Sequence, residues 1–284
     1  MFLKDIHRFF LEELRQVYEA AEAAAITDMI FEALGGIQKQ TVITQPGKVV
    51  EAQLQQELEA ALQRLKKGEP VQYLIGYAWF CNQRFQVSPA VLVPRPETEE
   101  LVQEVLQYIE KNNPKQLLDI GTGSGCIPIS IKLRTPEVAV TAIDVSDEAL
   151  NIARKNASNL GAAIHFLQLN FLDESTWTEL GTFDVIVSNP PYIPANEAAS
   201  LHTNVTAHEP HLALFVADDE RFIFYEKIAA FGLKHLNPGG CICMETHASF
   251  ANEVLEIFQQ LGYEAYTKKD MFEKERMVVA TLYR

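Results

Sequence analysis

The chain has 284 residues, of which 48% are hydrophobic and 22% charged; this balance excludes a disordered or fibrous protein and is enough for one large domain plus a small one. The formal net charge of -14, with no basic cluster larger than Arg64, Lys66 and Lys67, argues against a protein that grips nucleic acid mainly through its phosphates. Charges recur at Lys4, Asp5, Arg8, Glu12 and Glu13, no apolar stretch reaches membrane length, and the four cysteines show no CxxC or Cys/His spacing, so the expectation is a cytoplasmic protein with no signal peptide, no membrane span and reduced thiols.

The first part of the chain, to about Pro70, is predicted helical. Phe2, Ile6, Phe9, Phe10, Leu14 and Val17 recur at helical spacing within the stretch from Phe2 to Ile30. Gly35-Gly36 stops a helix, and Gln45-Pro46-Gly47 marks a turn. Leu54, Leu58, Leu62 and Leu65 form one stripe of a further helix that Gly68 and Pro70 end. Core packing is the plain reading of each such stripe. Together these helices make a small bundle over residues 1–75, with some free face for a partner.

The period changes over residues 76–93. Trp79, Phe80, Phe85, Val87 and Val91 to Val93 surround polar breaks at Asn82-Gln83 and Ser88-Pro89, a pattern that predicts a β-hairpin joining two domains. A helix follows through Leu101, Val102, Val105, Leu106 and Ile109.

The rest, residues 94–284, alternates apolar runs with helical patterns. The runs are Leu117 to Ile120, Val138 to Ile143, Ile164 to Leu169, Val185 to Val187 and Cys241 to Met244. Near-continuous apolar runs separated by helices predict buried parallel strands in an α/β, doubly wound domain. Tyr263 to Thr267 and Met277 to Leu282 add an antiparallel pair. Cys241 and Cys243 alternate inside their run, which reads as the two sides of a strand and not as a shared metal site.

The first chemical motif is Asp119-Ile120-Gly121-Thr122-Gly123-Ser124-Gly125, between an apolar strand and a helix. Glycines are needed where the chain turns sharply and lets a ligand touch its backbone. Backbone N–H groups at the helix start favour an anionic group such as a carboxylate. The spacing is G-x-G-x-G, one residue short of the dinucleotide fingerprint G-x-G-x-x-G. With Asp119 able to accept from an amino group, the loop suits the amino acid end of S-adenosylmethionine better than a pyrophosphate. Asp144 ends the next strand, where an acid can bind ribose hydroxyls; the plainer alternative is a structural turn and a surface Asp. Asn170-Phe171, after the third strand, stand where they could flank an adenine ring, although an aromatic there is as often simple core.

The second motif is Ser188-Asn189-Pro190-Pro191-Tyr192, after the strand Phe183 to Val187. Two prolines fix φ and remove two donors, leaving carbonyls that only accept. The Asn189 oxygen and the Pro190 carbonyl could each hold one hydrogen of a planar –NH₂ group, with Pro191 stiffening the loop and Tyr192 stacking on the substrate plane. By itself such a turn could be merely stiff; downstream of a glycine loop on a parallel sheet it points to transfer onto an amide or amino nitrogen.

Together with Pro94-Arg95-Pro96-Glu97-Thr98-Glu99, these motifs resemble the HemK/PrmC family, the peptide chain release factor N5-glutamine methyltransferases. The resemblance spans most of the chain, including Tyr73, Gly76 and Phe80. It implies a Rossmann-like methyltransferase domain with a mostly parallel seven-stranded sheet, behind a helical domain that recognises the partner. It implies methyl transfer from S-adenosylmethionine to the glutamine of a Gly-Gly-Gln motif in bacterial class 1 release factors, by a monomer. Cofactor contacts would fall on Gly121 to Gly125, Asp144, Phe171 and Asn189, and Asn189 to Tyr192 would hold the glutamine. The chain departs from the family's usual pattern at Phe215-Val216-Ala217-Asp218-Asp219 and at Glu245-Thr246-His247.

Other candidates carry less. His202, His208 and His211 sit near the second motif, but their spacing does not favour a metal, and none is expected. Glu97 and Glu99 either bracket the site or serve the first turn of the helix near Thr98, where acids are favoured. The rival reading is a nucleic-acid adenine-N6 methyltransferase, since Asn-Pro-Pro-Tyr is shared with DNA adenine methyltransferases; the net charge and the Pro94–Glu99 segment speak against it. A nucleotide-binding dehydrogenase is disfavoured by the glycine spacing.

Overall fold

The computed structural model describes residues 1–200 and 203–282. The chain forms two compact units, one of Met1–Tyr77 with His202–His208, the other of Ala78–Leu201 with Glu209–Arg284.

In the first unit, helices α1 (Leu3–Leu14), α2 (Ala20–Gly35), α3 (Lys39–Thr44), α4 (Ala52–Lys66) and α5 (Val71–Ile75) follow one another. Leu3, Ile6, Phe10 and Leu14 of α1 pack with Ile26, Ile30 and Phe31 of α2 and with Leu58, Leu62 and Leu65 of α4. Phe10 meets Phe31 edge to face at 5.5 Å. The apolar periodicity from Phe2 to Ile30 is interrupted: the chain turns at residues 15–19, where the Tyr18 hydroxyl donates to the Leu65 carbonyl at 2.8 Å. Val17 of the predicted stripe falls in that turn and stays exposed, and Phe2 and Phe9, off the face of α1 that buries Ile6, Phe10 and Leu14, are exposed as well.

The hairpin is β1 (Tyr77–Phe80) and β2 (Gln83–Gln86). Its two-residue connection puts Cys81 and Asn82 at φ 48° and 62°, the left-handed pair that matches strand twist. Phe80 and Phe85 enter the core of the second unit beside Leu101 and Val105, while Trp79 points to solvent.

The second unit continues with α6 (Pro96–Asn112), β3 (Gln116–Ile120), α7 (Cys126–Arg134), β4 (Ala139–Asp144), α8 (Asp147–Leu160), β5 (His165–Gln168), β6 (Phe183–Ser188) and β7 (Ile193–Pro194). Helix α9 (Thr203–His208) clusters with the first unit. Then come α10 (His211–Leu214), β8 (Phe215–Val216), α11 (Ile223–His235), β9 (Leu236–Glu245), α12 (Ala251–Gln260), β10 (Glu264–Lys269) and β11 (Glu275–Thr281).

Seven strands form one sheet in the order β10-β11-β9-β6-β3-β4-β5. β3, β4, β5, β6 and β9 run parallel, and β11 and β10 are antiparallel to their neighbours. One face carries a core with Val102, Ile129 and Val138, the other a core with Tyr225, Phe231 and Phe258. This is the doubly wound, mostly parallel sheet that the apolar runs predict. The short parallel pair of β7 with β8 was not legible in the sequence. Cys241 and Cys243 correct the strand reading: residues two apart share a face, and their sulfurs lie 3.4 Å apart on β9.

The strand order reverses at β3, which has β4 on one side and β6 on the other. A crevice at such a switch point, outside the carboxyl ends of the strands, is where open α/β sheets bind ligands. Both sequence motifs begin there.

Candidate active site

Ile120 ends β3 and the chain turns at once. Gly121, Gly123 and Gly125 have φ of 74°, 54° and 79°, a region L side chains avoid. A Cβ on Gly121 or Gly123 would meet nothing within 4 Å, whereas one on Gly125 would lie 2.9 Å from Ile129 and 3.1 Å from Ala153. The first two glycines thus leave open space beside the backbone, and the third lets α7 approach α8.

Asp119 lies beneath the loop, fully buried, and neither carboxylate oxygen has a hydrogen-bond partner among the described residues. Burial pushes its pKa up to about 7, aided by the charge of Asp144 and opposed by the nearby Thr122 hydroxyl. Asp144, at the end of β4, accepts from the Gly123 N–H at 2.8 Å and the Ser146 N–H at 3.0 Å. Desolvation raises its pKa despite those bonds.

Ser188 ends β6 and donates to the Ile120 carbonyl at 2.7 Å, tying the starts of the two motifs together. Asn189 follows, half-buried, and its Nδ2 donates to Thr98 Oγ1 at 3.1 Å. Thr98 in turn donates to Glu245 Oε2 at 2.6 Å, and the Tyr192 hydroxyl donates to Glu245 Oε1 at 3.3 Å. Glu245 is buried. Desolvation raises its pKa, while Thr98, Arg276 and Tyr192 pull it down and Glu97 pushes it up. The Tyr192 ring stands 6.0 Å from that of His247, and burial raises the Tyr192 pKa.

A cavity of about 600 Å³ opens between the motifs. Of the residues singled out in the sequence, it is lined by Gly121, Thr122, Gly123, Ser124, Asp144, Asn170, Phe171, Asn189 and Pro191. Asp119, Gly125, Pro190 and Tyr192 lie behind or beside this lining. Phe171 is mostly core, 5.5 Å from Trp177 in a stacked pair and edge-on to Phe231. Glu97 and Glu99 occupy the first turn of α6; it is Thr98 between them that reaches the cavity. His211 also lines it, His208 does not, and His202 is outside the described residues.

Sequence reading missed several supports. Glu209, whose side chain is 2% exposed, accepts from Arg95 Nη2 at 2.6 Å and from the Val93 N–H at 3.4 Å, pinning the segment before α6. Asn156 of α8 donates to the carbonyls of Gln86 and Ser124 and accepts from the Gln86 N–H. The segment Pro89 to Leu92 forms part of the wall. A polar residue inside an apolar helix stripe was the available signal for Asn156; Glu245, beyond an apolar strand, offered a similar one.

Residues 99–211 match the model of the methyltransferase small domain, and residues 6–76 that of the PrmC N-terminal domain. A release factor glutamine methyltransferase from Bacteroides thetaiotaomicron is 38% identical over 97% of this chain and 98% of its own length. One of the same name from Flavobacterium psychrophilum is 37% identical, covering 98% of each chain. A solved methyltransferase from Pyrococcus furiosus is 19% identical with a TM-score of 0.47, covering 70% of this chain and 89% of that one. Matched by curated relatives across nearly its whole length and by models over both its helical N-terminal stretch and its glycine and Asn-Pro-Pro-Tyr motifs, the chain belongs to the release factor glutamine methyltransferase family.

Proposed function

We propose that this protein methylates the side-chain amide nitrogen (N5) of the glutamine in the Gly-Gly-Gln motif of bacterial class 1 peptide chain release factors, with S-adenosylmethionine as methyl donor. The observation that carries the proposal is one cavity bounded on one side by the glycine loop and on the other by Asn189.

The residues present fit the cofactor. An unpaired buried carboxylate is costly, and an ammonium group on a ligand would relieve the cost at Asp119. The open space beside Gly121 and Gly123 suits close approach of a ligand. Gly121, Thr122, Gly123, Ser124 and Gly125 would form the cradle, Asp144 would take the ribose, and Asn170 and Phe171 would border the adenine. Bound there, S-adenosylmethionine supplies a methyl group activated by a sulfonium.

The chain's own residues then act on the acceptor. The Asn189 Oδ1 and the Pro190 carbonyl hold the two amide hydrogens, fixing the nitrogen's orientation and stabilising positive charge that grows on it. Pro191 stiffens the loop, and Tyr192, anchored at its hydroxyl by Glu245, is assigned to the substrate side. The surplus proton on the nitrogen leaves to water, so no general base is required of the chain. The first unit recognises the body of the release factor. An adenine-N6 reading shares the acceptor clamp, but the charge of -14 disfavours a polyanionic substrate.

The test offers the protein labelled S-adenosylmethionine with either a release factor or duplex DNA. Label is expected on the release factor, at the Gly-Gly-Gln glutamine by peptide mapping; label on DNA alone would overturn the proposal. Asn189→Ala is expected to lower turnover by about 10²–10³-fold while cofactor affinity changes only about threefold. Full turnover by that variant would remove the clamp from the mechanism.

A further inference from the structure

Asn189 has two faces, an oxygen that accepts and an NH₂ that donates, and the proposed chemistry works only if the oxygen faces the substrate. Something must choose between them. Thr98 has a single hydroxyl proton, and it is committed to Glu245 Oε2 at 2.6 Å. Towards Asn189 it can therefore offer only a lone pair, which accepts from Nδ2 at 3.1 Å. The flipped amide would set Oδ1 against that lone pair. Such amide orientations follow from the surrounding hydrogen-bond network, and here the network is short and buried: Thr98 is 3% exposed and Glu245 is 4%.

We propose that Thr98, with its hydroxyl hydrogen engaged by Glu245, is a positioning residue that locks the Asn189 amide with its oxygen towards the substrate nitrogen. The inference rests on the function proposed above. Glu245 anchors the other half of the motif as well, because its second oxygen accepts from Tyr192 at 3.3 Å and its backbone carbonyl accepts from the Tyr225 hydroxyl at 3.3 Å. One buried carboxylate at the end of β9 thus sets both the amide and the ring of the Asn-Pro-Pro-Tyr loop. Thr98 belongs to α6 and Glu245 to β9, 147 residues apart, so the loop is aligned from outside its own segment.

Three variants test this in steady-state methylation of a release factor, with cofactor affinity and melting temperature measured alongside. Thr98→Val keeps the shape and removes the acceptor; kcat is expected to fall about 10–100-fold, while KM for the release factor and Kd for the cofactor stay within about threefold. Thr98→Ser keeps the hydroxyl and is expected to recover kcat to within about threefold of wild type. Glu245→Met leaves the Thr98 proton free to turn to Asn189 and favour the flipped amide. It is expected to lower kcat like Thr98→Val, and to lower the melting temperature as well, because the Thr98 and Tyr192 hydroxyls lose their shared acceptor. A Thr98→Val enzyme with wild-type kcat, or a loss of kcat that Thr98→Ser fails to recover, would overturn the positioning role while leaving the proposed function standing. If the wild type itself labels no release factor, that function fails and this inference falls with it.

Discussion

Asp119 is the residue at which stability and ligand binding pull in opposite directions. Its folded-state pKa of about 7 lies above the ordinary 3.8. A group with a raised acid pKa costs the folded state nothing below 3.8. The cost grows as pH climbs from 3.8 to about 7 and is complete above it, at about 4 kcal/mol for a gap of this size. Asp119→Asn is therefore expected to stabilise the ligand-free protein at pH 8, with a gain that shrinks steadily towards pH 5, as read by urea unfolding. The same substitution removes the carboxylate assigned to the ligand's ammonium, so it is expected to weaken S-adenosylmethionine binding by about tenfold or more. In the wild type, cofactor affinity is expected to fall about tenfold per pH unit below 7, because the ionised fraction falls at that rate. Calorimetry from pH 5.5 to 8 checks this; a flat affinity over that range would mean that Asp119 is not the partner of the cationic group.

Among the elements, α8 and the hairpin are joined to the glycine loop by one side chain. Asn156 is 1% exposed and makes three hydrogen bonds, at 2.7, 2.9 and 3.0 Å, to Gln86 and Ser124. Asn156→Ala strands the backbone groups of both segments and is expected to cost about 2–4 kcal/mol of unfolding free energy. It is also expected to weaken cofactor binding several-fold by loosening Ser124, whereas Trp79→Ala, on the exposed face of the hairpin, is expected to do neither. Retained cofactor affinity in Asn156→Ala would show that the loop holds its shape unaided. Such ties mark where sequence reading stops. The strands were legible because buried parallel strands are continuous apolar runs, and both motif loops were legible because glycine and proline have backbone geometry written into their chemistry. The contacts among Asn189, Thr98 and Glu245 were not, since they join residues 91 and 147 positions apart whose types are common at surfaces. Glu97 and Glu99 stand out in the sequence as charges, yet the neutral Thr98 between them turns inward. Phe171 could not be divided between core and ligand from sequence, and in the structure it serves the aromatic cluster with Trp177 while touching the cavity.

For the molecule as a whole, the proposed function gives chemistry to the second unit and recognition to the first, and that division has a kinetic signature. Phe2 and Val49 are paired by a backbone bridge and are 51% and 66% exposed. Exposed apolar residues are ordinary, and it is the recognition role proposed for the first unit that makes this adjacent pair the contact to test. Contacts far from the reacting atoms that hold ground state and transition state equally raise KM when lost and leave kcat alone. Val49→Asp is accordingly expected to raise KM for an intact release factor by about 5–10-fold with kcat unchanged. It should not alter methylation of a short peptide carrying only the Gly-Gly-Gln motif, which lacks the surface that the first unit would bind. Val17→Asp, 47% exposed on the same unit and outside the pair, serves as the control and is expected to leave both substrates untouched. Equal losses with peptide and intact factor would instead mean that the substitution reaches the catalytic unit through folding, and an unchanged KM would move the recognition surface away from Phe2 and Val49.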